Sequence, residues 1–374
     1  MKIDNNSIKE VSYKILNKRI DKGRISKEEA VFLYKYTPIQ MILECADKLR
    51  SQIILDNKVS WQIDRNINYT NVCISNCKFC NFHCRVSEKN LSFTTKREEY
   101  KIKIEELVKL GGDQLLLQGG LHPKYDINFY VDLFKSLREI YPNLKLNALG
   151  PPEIFHISKI SKISIEETLI RLTDAGLTSL PGAGAEILSQ RVRSFLSPGK
   201  PDSNAWIEVM KCAHQLNIPT TATMVYGHIE TIEERIDHLF TIREIQDSKP
   251  KGNIGFRAFI CWPMQLKGTQ LQEKFHEYLN ELPDTIEHLK MIAISRIILD
   301  NIDHIQVSWL TIGLELAKLA LNCGADDMGS IMIEENVVSS AGVTFKMDPE
   351  LMKKTIIDAG FNPWLRNQDY SPVQ

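Results

Sequence analysis

Residues 62–80 read Gln62-Ile-Asp-Arg-Asn-Ile-Asn-Tyr69-Thr-Asn-Val-Cys73-Ile-Ser-Asn-Cys77-Lys-Phe-Cys80. A strand candidate, 62–69, runs directly into a loop with three cysteines spaced C-x3-C-x2-C. Downstream, short apolar runs recur at 113–118, 144–148, 178–182, 220–225, 255–261, 304–309 and, more weakly, 328–333. Leu115, Leu116 and Leu117 form an unbroken apolar run, as a parallel strand buried on both faces requires. Amphipathic helical stretches separate the runs. Ser164-x-x-Glu167 and Thr231-x-x-Glu234 are capping boxes, and Gly176 marks a helix end. Trp206, Val209, Met210, Ala213 and Leu216 form one helical stripe. Repeated strand–helix units predict a parallel α/β sheet. Six to eight of them in roughly 300 residues fit a TIM-type barrel. No Gly-x-Gly-x-x-Gly follows the first strand, which weighs against a doubly wound sheet.

Residues 1–55 read as a helical extension and 56–374 as the barrel domain. Ser26-x-x-Glu29 opens the first clear helix, and 38–53 carries a second helical periodicity. The chain has 374 residues, with 46 basic and 47 acidic side chains and a net charge of −1. Hydrophobic residues make up 43% and charged residues 25%, as in soluble globular proteins. This balance offers no field for nucleic acid or an anionic membrane. The polar start lacks a secretory h-region, and no apolar run reaches the roughly 18 residues of a membrane span. A cytoplasmic location is expected.

Eight cysteines are present, four of them between Cys73 and Cys84. In such a context a local cluster points to metal or redox chemistry rather than disulfides. A cubane iron–sulfur cluster takes four ligands, so three thiolates leave one iron open to a small molecule. Two other readings stand beside this one. A structural zinc site prefers two cysteine pairs set further apart. Cys84 as a fourth ligand would close the cluster, but the first gap is three residues rather than two, and Arg85 stands where a ferredoxin has proline. Cys45, Cys212, Cys261 and Cys323 read as small apolar residues.

Barrel active sites lie at the C-terminal ends of the strands. There the sequence offers Gln118-Gly119-Gly120-Leu121-His122, then Gly150-Pro-Pro-Glu153-Ile154. It also offers Pro181-Gly-Ala-Gly-Ala-Glu186 and Tyr226-Gly-His228-Ile229-Glu230. A glycine pair lets backbone approach a ligand closely. Arg257, inside a strand run, needs an acid or a polar barrel mouth, and a substrate carboxylate is one partner for it. Gln306 and Ser308 alternate on a strand and so share a face. His122, Glu153 and Asp326 are base candidates by type and rim position. Glu334 and Glu335 read as the acidic first turn of a helix.

The cysteine spacing, with aromatic Phe79 before the third cysteine and its place after the first strand, resembles the radical S-adenosylmethionine (SAM) superfamily. The resemblance implies a [4Fe–4S] cluster on Cys73, Cys77 and Cys80, whose open iron binds the amino and carboxylate groups of SAM. It implies reductive cleavage of SAM to a 5′-deoxyadenosyl radical. It places Gln118, Gly119 and Gly120 near the methionine amino group, Phe79 among the cofactor-binding residues, Glu186 near ribose hydroxyls or an ammonium, and His228 and Ile229 near adenine or ribose. Longer stretches carry it further: 150–154, 180–188, 222–231, 324–338 and Arg366-Asn-Gln-Asp-Tyr370 are similar to the menaquinone and deazaflavin branch. Met328-Gly-Ser330 and Glu334-Glu-Asn-Val-Val338 resemble that branch's dehypoxanthine futalosine cyclases more than aminofutalosine or deazaflavin synthases. Gly150 stands where the cyclases usually carry serine. The resemblance implies dehypoxanthine futalosine as substrate, with Arg257, Gln306 and Ser308 as candidate contacts. It also implies an external one-electron donor such as flavodoxin or ferredoxin.

Overall fold

A computed structural model describes residues 5–334, 336 and 347–373. Glu335 and the end of the 324–338 stretch lie outside the described residues. The strands are β1 (Lys58–Gln62), β2 (Asp64–Asn68), β3 (Gln114–Gln118), β4 (Lys145–Ala148) and β5 (Leu177–Ser179). They continue with β6 (Thr220–Tyr226), β7 (Phe256–Pro263), β8 (His304–Gln306), β9 (Asp327–Ser330) and β10 (Asn362–Leu365). Every ladder between them is parallel.

Two sheets, β2-β3-β4-β5 and β10-β1-β9-β8-β7-β6, join at both edges. Leu180 bridges Thr220 between β5 and β6. At the other seam Arg65 bridges Ile333, and the Asn66 amide donates to the Ile333 carbonyl at 3.0 Å. Strands β1 and β2 are separated by Ile63 alone and act as one kinked strand. Its first half pairs with β10 and β9, its second with β3 and the continuation of β9. The ring therefore closes as a TIM-type α/β barrel.

All eight strand candidates correspond to observed strands. The first begins earlier than read, at Lys58, and 304–309 stops at Gln306, where Ser308 opens a short helix, Trp309–Ile312. Strand β10 was not read. It lies on a sheet edge and contains Pro363, a residue that obscures a strand pattern and that edges tolerate.

Strand alternation sets the barrel's two faces. Leu115, Leu117, Leu146 and Ala148 are fully buried in the apolar core. At intervening positions Asn66, Leu116, Asn147 and Ser179 lie at one level of the ladder. Ser179 Oγ donates to Asn147 Oδ1 at 2.7 Å. The interior is thus largely polar while the outer layer is aliphatic.

Helices α1 (Asn5–Ile20), α2 (Lys27–Tyr36) and α3 (Ile39–Ile53) precede the barrel, and the Ser26–Glu29 capping box forms at α2. They share the barrel's core. Arg19 Nε donates to the Ile297 carbonyl at 2.8 Å, and Arg50 Nε to the Ala325 carbonyl at 3.0 Å. Among the described residues no helix is long and apolar enough to cross a membrane.

The N-terminal end of the barrel holds a buried ionic network. Asp326, just before β9, pairs with Arg296 and with His304 Nδ1 at 2.6 Å, and accepts the Ile305 amide at 2.8 Å. Arg366 reaches Asp327 at 2.5 Å and Gln62 at 2.7 Å. Tyr370 stacks on His304 with centroids 3.7 Å apart. This corrects two sequence expectations. Asp326 is a fully committed structural acid at the end opposite the cysteines. Arg257 sits at the start of β7, opposite a register shift between Thr220 and Thr221, where its charge acts on Asp369 of the C-terminal segment. The register shift breaks the strand period there, so the strand run did not reveal its direction, and its Nε is buried without a hydrogen-bond partner among the described residues.

Removing one partner of a buried ion pair leaves an uncompensated charge, at a cost of about 3–5 kcal/mol. Asp326→Ala is expected to lower the urea-unfolding free energy by that order, and a loss below about 1 kcal/mol would overturn the assignment.

Candidate active site

The cysteine loop leaves the C-terminal end of β2 and is fixed by backbone bonds on every side. Cys73 donates to the Cys84 carbonyl at 3.0 Å, Cys84 to Asn71 at 2.9 Å, and Ile74 to Leu121 at 3.2 Å. Lys78 donates to Leu196 at 2.9 Å and Gly199 to Ser75 at 3.2 Å. Cys73 Sγ accepts the amides of Ser75 at 3.4 Å and Leu121 at 3.3 Å. Hydrogen bonds to sulfur of this kind suit a thiolate that ligates iron. Burial pushes the Cys77 thiol up to about 11, with the Lys200 charge opposing. At Cys80 burial works upward too, but bonds from His83 and the amides of Phe82 and His83 outweigh it and hold the thiol below its ordinary value.

All eight cysteines are free thiols. Among the described residues no three His, Cys, Asp or Glu side chains converge closely enough to hold a single ion. A cubane asks less, because each thiolate meets its own iron at a separate corner. Three free thiols on one rigid loop, one of them already solvated by amides, fit such a cluster.

The Gly119-Gly120 turn packs against this loop. A Cβ on Gly120 would lie 2.1 Å from the Val72 carbonyl oxygen, and one on Gly119 2.6 Å from the Tyr69 ring. Only glycine permits that approach. The Gln118 carbonyl accepts the Tyr69 amide at 3.3 Å and Asn68 Nδ2 at 3.3 Å. Behind the turn Glu153 accepts Tyr69 Oη at 2.7 Å, the Gly119 amide at 3.1 Å and the Gly150 amide at 2.5 Å. Burial pushes its carboxyl up to about 7 against these three donors. Glu153 therefore supports the glycine turn from its protein side.

Glu186 lies across from Cys77, buried and in the left-handed region at φ 42°. Lys200 Nζ reaches it at 2.7 Å and Arg193 Nη1 at 3.3 Å. Burial works to raise its carboxyl, but the Lys200 and Arg193 charges win and hold it below the usual range. Arg193 also donates to the carbonyls of Gly184 and Ala185, both at 2.9 Å. The Lys200 ammonium lies 5.5 Å from the Phe79 ring centroid. Lys200 thus links Glu186, Phe79 and the field at Cys77. Neither Lys200 nor Arg193 was singled out in the sequence. The available signal was Pro198-Gly199-Lys200: a Cβ on Gly199 would lie 2.5 Å from the Ser75 carbonyl, so this turn must press on the cysteine loop.

Other expected contacts sit differently. His228 is fully buried; its Nε2 donates to the Val225 carbonyl at 3.0 Å, and its Nδ1 lies 2.7 Å from the Ile229 amide and 2.8 Å from Glu230. Both ring nitrogens are committed inside the protein, which corrects its reading as a cofactor contact. Half-buried Ile229 remains at the rim. The His122 ring stacks on Tyr125 at 3.6 Å, and its Nδ1 accepts the Lys124 amide at 3.2 Å. Gln306 lies across Gly329, whose φ is 71° and whose added Cβ would meet the Gln306 amide nitrogen at 2.5 Å. Ser308 Oγ accepts Thr311 Oγ1 at 3.0 Å. Glu334 starts no described helix: its φ is 63°, and it pairs with Arg65 and Lys103 across the barrel seam. Asn336 Nδ2 donates to Asn68 Oδ1 at 3.2 Å.

Residues 67–242 match the family described as Radical SAM superfamily, and residues 253–374 match CofH/MqnC C-terminal region. The sequence is 40% identical to cyclic dehypoxanthine futalosine synthase of Streptomyces coelicolor, over 95% of this chain and 87% of that protein. The chain belongs to the radical SAM superfamily. It is also 38% identical to a 5-amino-6-(D-ribitylamino)uracil–L-tyrosine 4-hydroxyphenyl transferase of Methanococcoides burtonii, over 88% of this chain and 90% of that one. Among solved structures, the [FeFe]-hydrogenase maturase HydG superposes with a TM-score of 0.75 at 16% identity, covering 99% of this chain and 78% of HydG. Methylornithine synthase gives 0.72 at 18%, covering 93% and 97%. These two share its fold. Radical SAM enzymes use a [4Fe–4S] cluster and SAM, and this radical SAM enzyme takes the same cofactors.

Glu153 gives the site a pH signature. Its folded-state affinity for a proton exceeds that of an ordinary glutamate near 4.5. The associated stability is complete below about 4.5 and is lost as pH rises to about 7, on the order of 3 kcal/mol. Urea titrations from pH 4.5 to 7 should show a flatter profile for Glu153→Gln than for wild type; parallel profiles would refute the raised carboxyl.

Proposed function

We propose that this enzyme cyclises dehypoxanthine futalosine to cyclic dehypoxanthine futalosine, a step of menaquinone biosynthesis by the futalosine pathway. The reading is carried by the 40% identity to a synthase of that name along nearly the whole chain. In it, Cys73, Cys77 and Cys80 ligate the cluster. When bound, cluster and SAM supply a 5′-deoxyadenosyl radical that takes the C4′ hydrogen of the substrate ribose. The ribose carbon would then add to the attached benzoate ring, and the resulting ring radical would give one electron to a one-electron acceptor and one proton to a base, closing the spiro product.

The chain's own residues would position and isolate. The Gly119-Gly120 turn, braced by Glu153, brings backbone against the methionine moiety. Lys200 and Glu186 form a charged wall beside Phe79 and Cys77. Deeper in the barrel, Asn66, Asn147 and Gln306 offer neutral donors and acceptors to a sugar. Asn66 Oδ1 is buried without a hydrogen-bond partner among the described residues. Buried polar groups are rarely left unmatched, so this oxygen would suit a ligand hydroxyl. An ordered chamber that excludes water also protects a reactive carbon from side reactions.

A second reading rests on the 38% identity to the tyrosine 4-hydroxyphenyl transferase. Reduced, reconstituted protein supplied with SAM should turn dehypoxanthine futalosine into a product lighter by two hydrogens, with one 5′-deoxyadenosine formed per product. No such product, with coupling of tyrosine to 5-amino-6-(D-ribitylamino)uracil instead, would transfer the assignment to the second reading.

Cluster ligation has its own test. Cys77→Ala should lose bound iron and all SAM cleavage, whereas Cys84→Ala should keep both. Zinc in place of iron in anaerobic wild-type protein, or full activity of Cys77→Ala, would sink the ligand assignment.

A further inference from the structure

The segment that follows the cluster cysteines has a surface of its own. Residues 74–97 hold five cationic side chains, Lys78, Arg85, Lys89, Lys96 and Arg97, against one acid, Glu88, in a chain whose overall charge is −1. Lys78 turns inward, donating to the Phe195 carbonyl and lying 3.9 Å from the Phe195 ring centroid. Arg97 pairs with Glu139. Glu88 is tied to the backbone, accepting the Arg85 amide at 2.5 Å. Arg85, Lys89 and Lys96 form no ion pair among the described residues and face solvent. Glu98 and Glu99 follow Lys96 in the first turn of the next helix, so the unbalanced outward field is chiefly that of Arg85 and Lys89.

Large apolar side chains are exposed among these cations: Ile74 at 49%, Val86 at 45%, Leu91 at 67% and Phe93 at 40%. The loop that carries them is well bonded. Asn71 Nδ2 donates to the Leu91 carbonyl at 2.9 Å, the Phe93 amide returns to Asn71 Oδ1 at 2.9 Å, and Thr70 Oγ1 donates to the Phe93 carbonyl at 2.6 Å. Phe82 and Phe93 pack edge to face at 6.0 Å. A well-bonded segment that leaves four large apolar groups in water and carries the unpaired cations Arg85 and Lys89 has the composition of a transient protein interface. Ile74 is the residue next to Cys73, so this surface is continuous with the cluster loop.

We propose that this face docks a small acidic one-electron carrier protein. The inference rests on the cluster ligation proposed above, because that chemistry needs one electron from outside the chain. In the docked pair one electron leaves the carrier, which is oxidised by one equivalent, and enters the cluster, which is reduced by one. Arg85 and Lys89 steer the acidic face into place, and Leu91 and Phe93 supply the apolar centre of a weak, quickly released contact.

The test measures the rate of cluster reduction in reconstituted protein without dehypoxanthine futalosine, by loss of visible absorbance in a stopped-flow instrument. The reductants are photoreduced flavodoxin, as the acidic carrier, and titanium(III) citrate, as a small reductant with no protein face. For Arg85→Glu/Lys89→Glu the second-order rate with flavodoxin should fall on the order of tenfold at low salt. Its dependence on ionic strength should flatten, while the titanium(III) rate stays at the wild-type value. Leu91→Ser, which leaves charge untouched, should slow the flavodoxin reaction without altering its salt dependence. Unchanged flavodoxin rates in both variants would overturn the proposal. Equal slowing with both reductants would also overturn it, because the loop would then act on the cluster rather than on a partner. Wild-type reduction by titanium(III) tests the cluster reading separately from the docking.

Discussion

One kinked strand closes this barrel, and the position of every rim residue depends on it. Residues 58–68 pair with β10 and β9 before Ile63 and with β3 and the continuation of β9 after it. A barrel needs fixed tilt and stagger, and a strand that changes partners midway sets both. Because the Cys73 loop leaves the end of this strand, closure also sets the height of the cysteines. The Arg65–Glu334–Lys103 ion pairs lock the same seam from outside. A slip there would move the cysteine loop relative to Gly119-Gly120, where a Cβ on Gly120 would already meet the Val72 carbonyl at 2.1 Å.

The two ends of the barrel use buried charge differently. At the N-terminal end each carboxylate has a cation and further donors: Asp326 with Arg296, His304 and the Ile305 amide, Asp327 with Arg366 and Ser60. Among the described residues these two carboxylates are fully partnered, and the network serves to hold the ring shut. At the cysteine end the balance is looser. Lys200 is shared between Glu186, Phe79 and the field at Cys77, so one cation serves several neighbours. Full satisfaction suits a structural end, and shared partners suit a binding end.

Much of this was legible in the sequence because strand alternation and cysteine spacing are local signals. The eight strand candidates, the Ser26 and Thr231 capping boxes, the Ser164 N-cap (which forms without the reciprocal Glu167 bond) and the cluster motif all depend on residues within a few positions of one another. What escaped depends on contacts distant in the chain. Asp326 and Glu153 are both acids near barrel ends, yet one meets Arg296 thirty residues back and the other meets the Tyr69 hydroxyl and Gly119 amide from two other segments. His228 looked like a rim histidine, but Glu230 two residues on and the Val225 carbonyl turn its ring inward. Arg257 was obscured by a register shift, which breaks the period on which strand facing is read.

The polar interior bears on the chemistry the fold can support. A barrel centre can be filled with aliphatic side chains at no cost in unmet hydrogen bonds. Here it carries Asn66, Asn147, Ser179 and Gln306, and Asn66 Oδ1 has no partner among the described residues, a deficit of about 1–3 kcal/mol. Gly329 gives up a side chain so that Gln306 can lie across it. Such features lower stability and serve no packing purpose. Neutral side chains of this kind can hydrogen-bond the hydroxyl and carbonyl groups of a ligand. The inner ladder level shared by Asn66, Asn147 and Ser179 therefore trades packing for hydrogen-bonding groups at the centre of the ring.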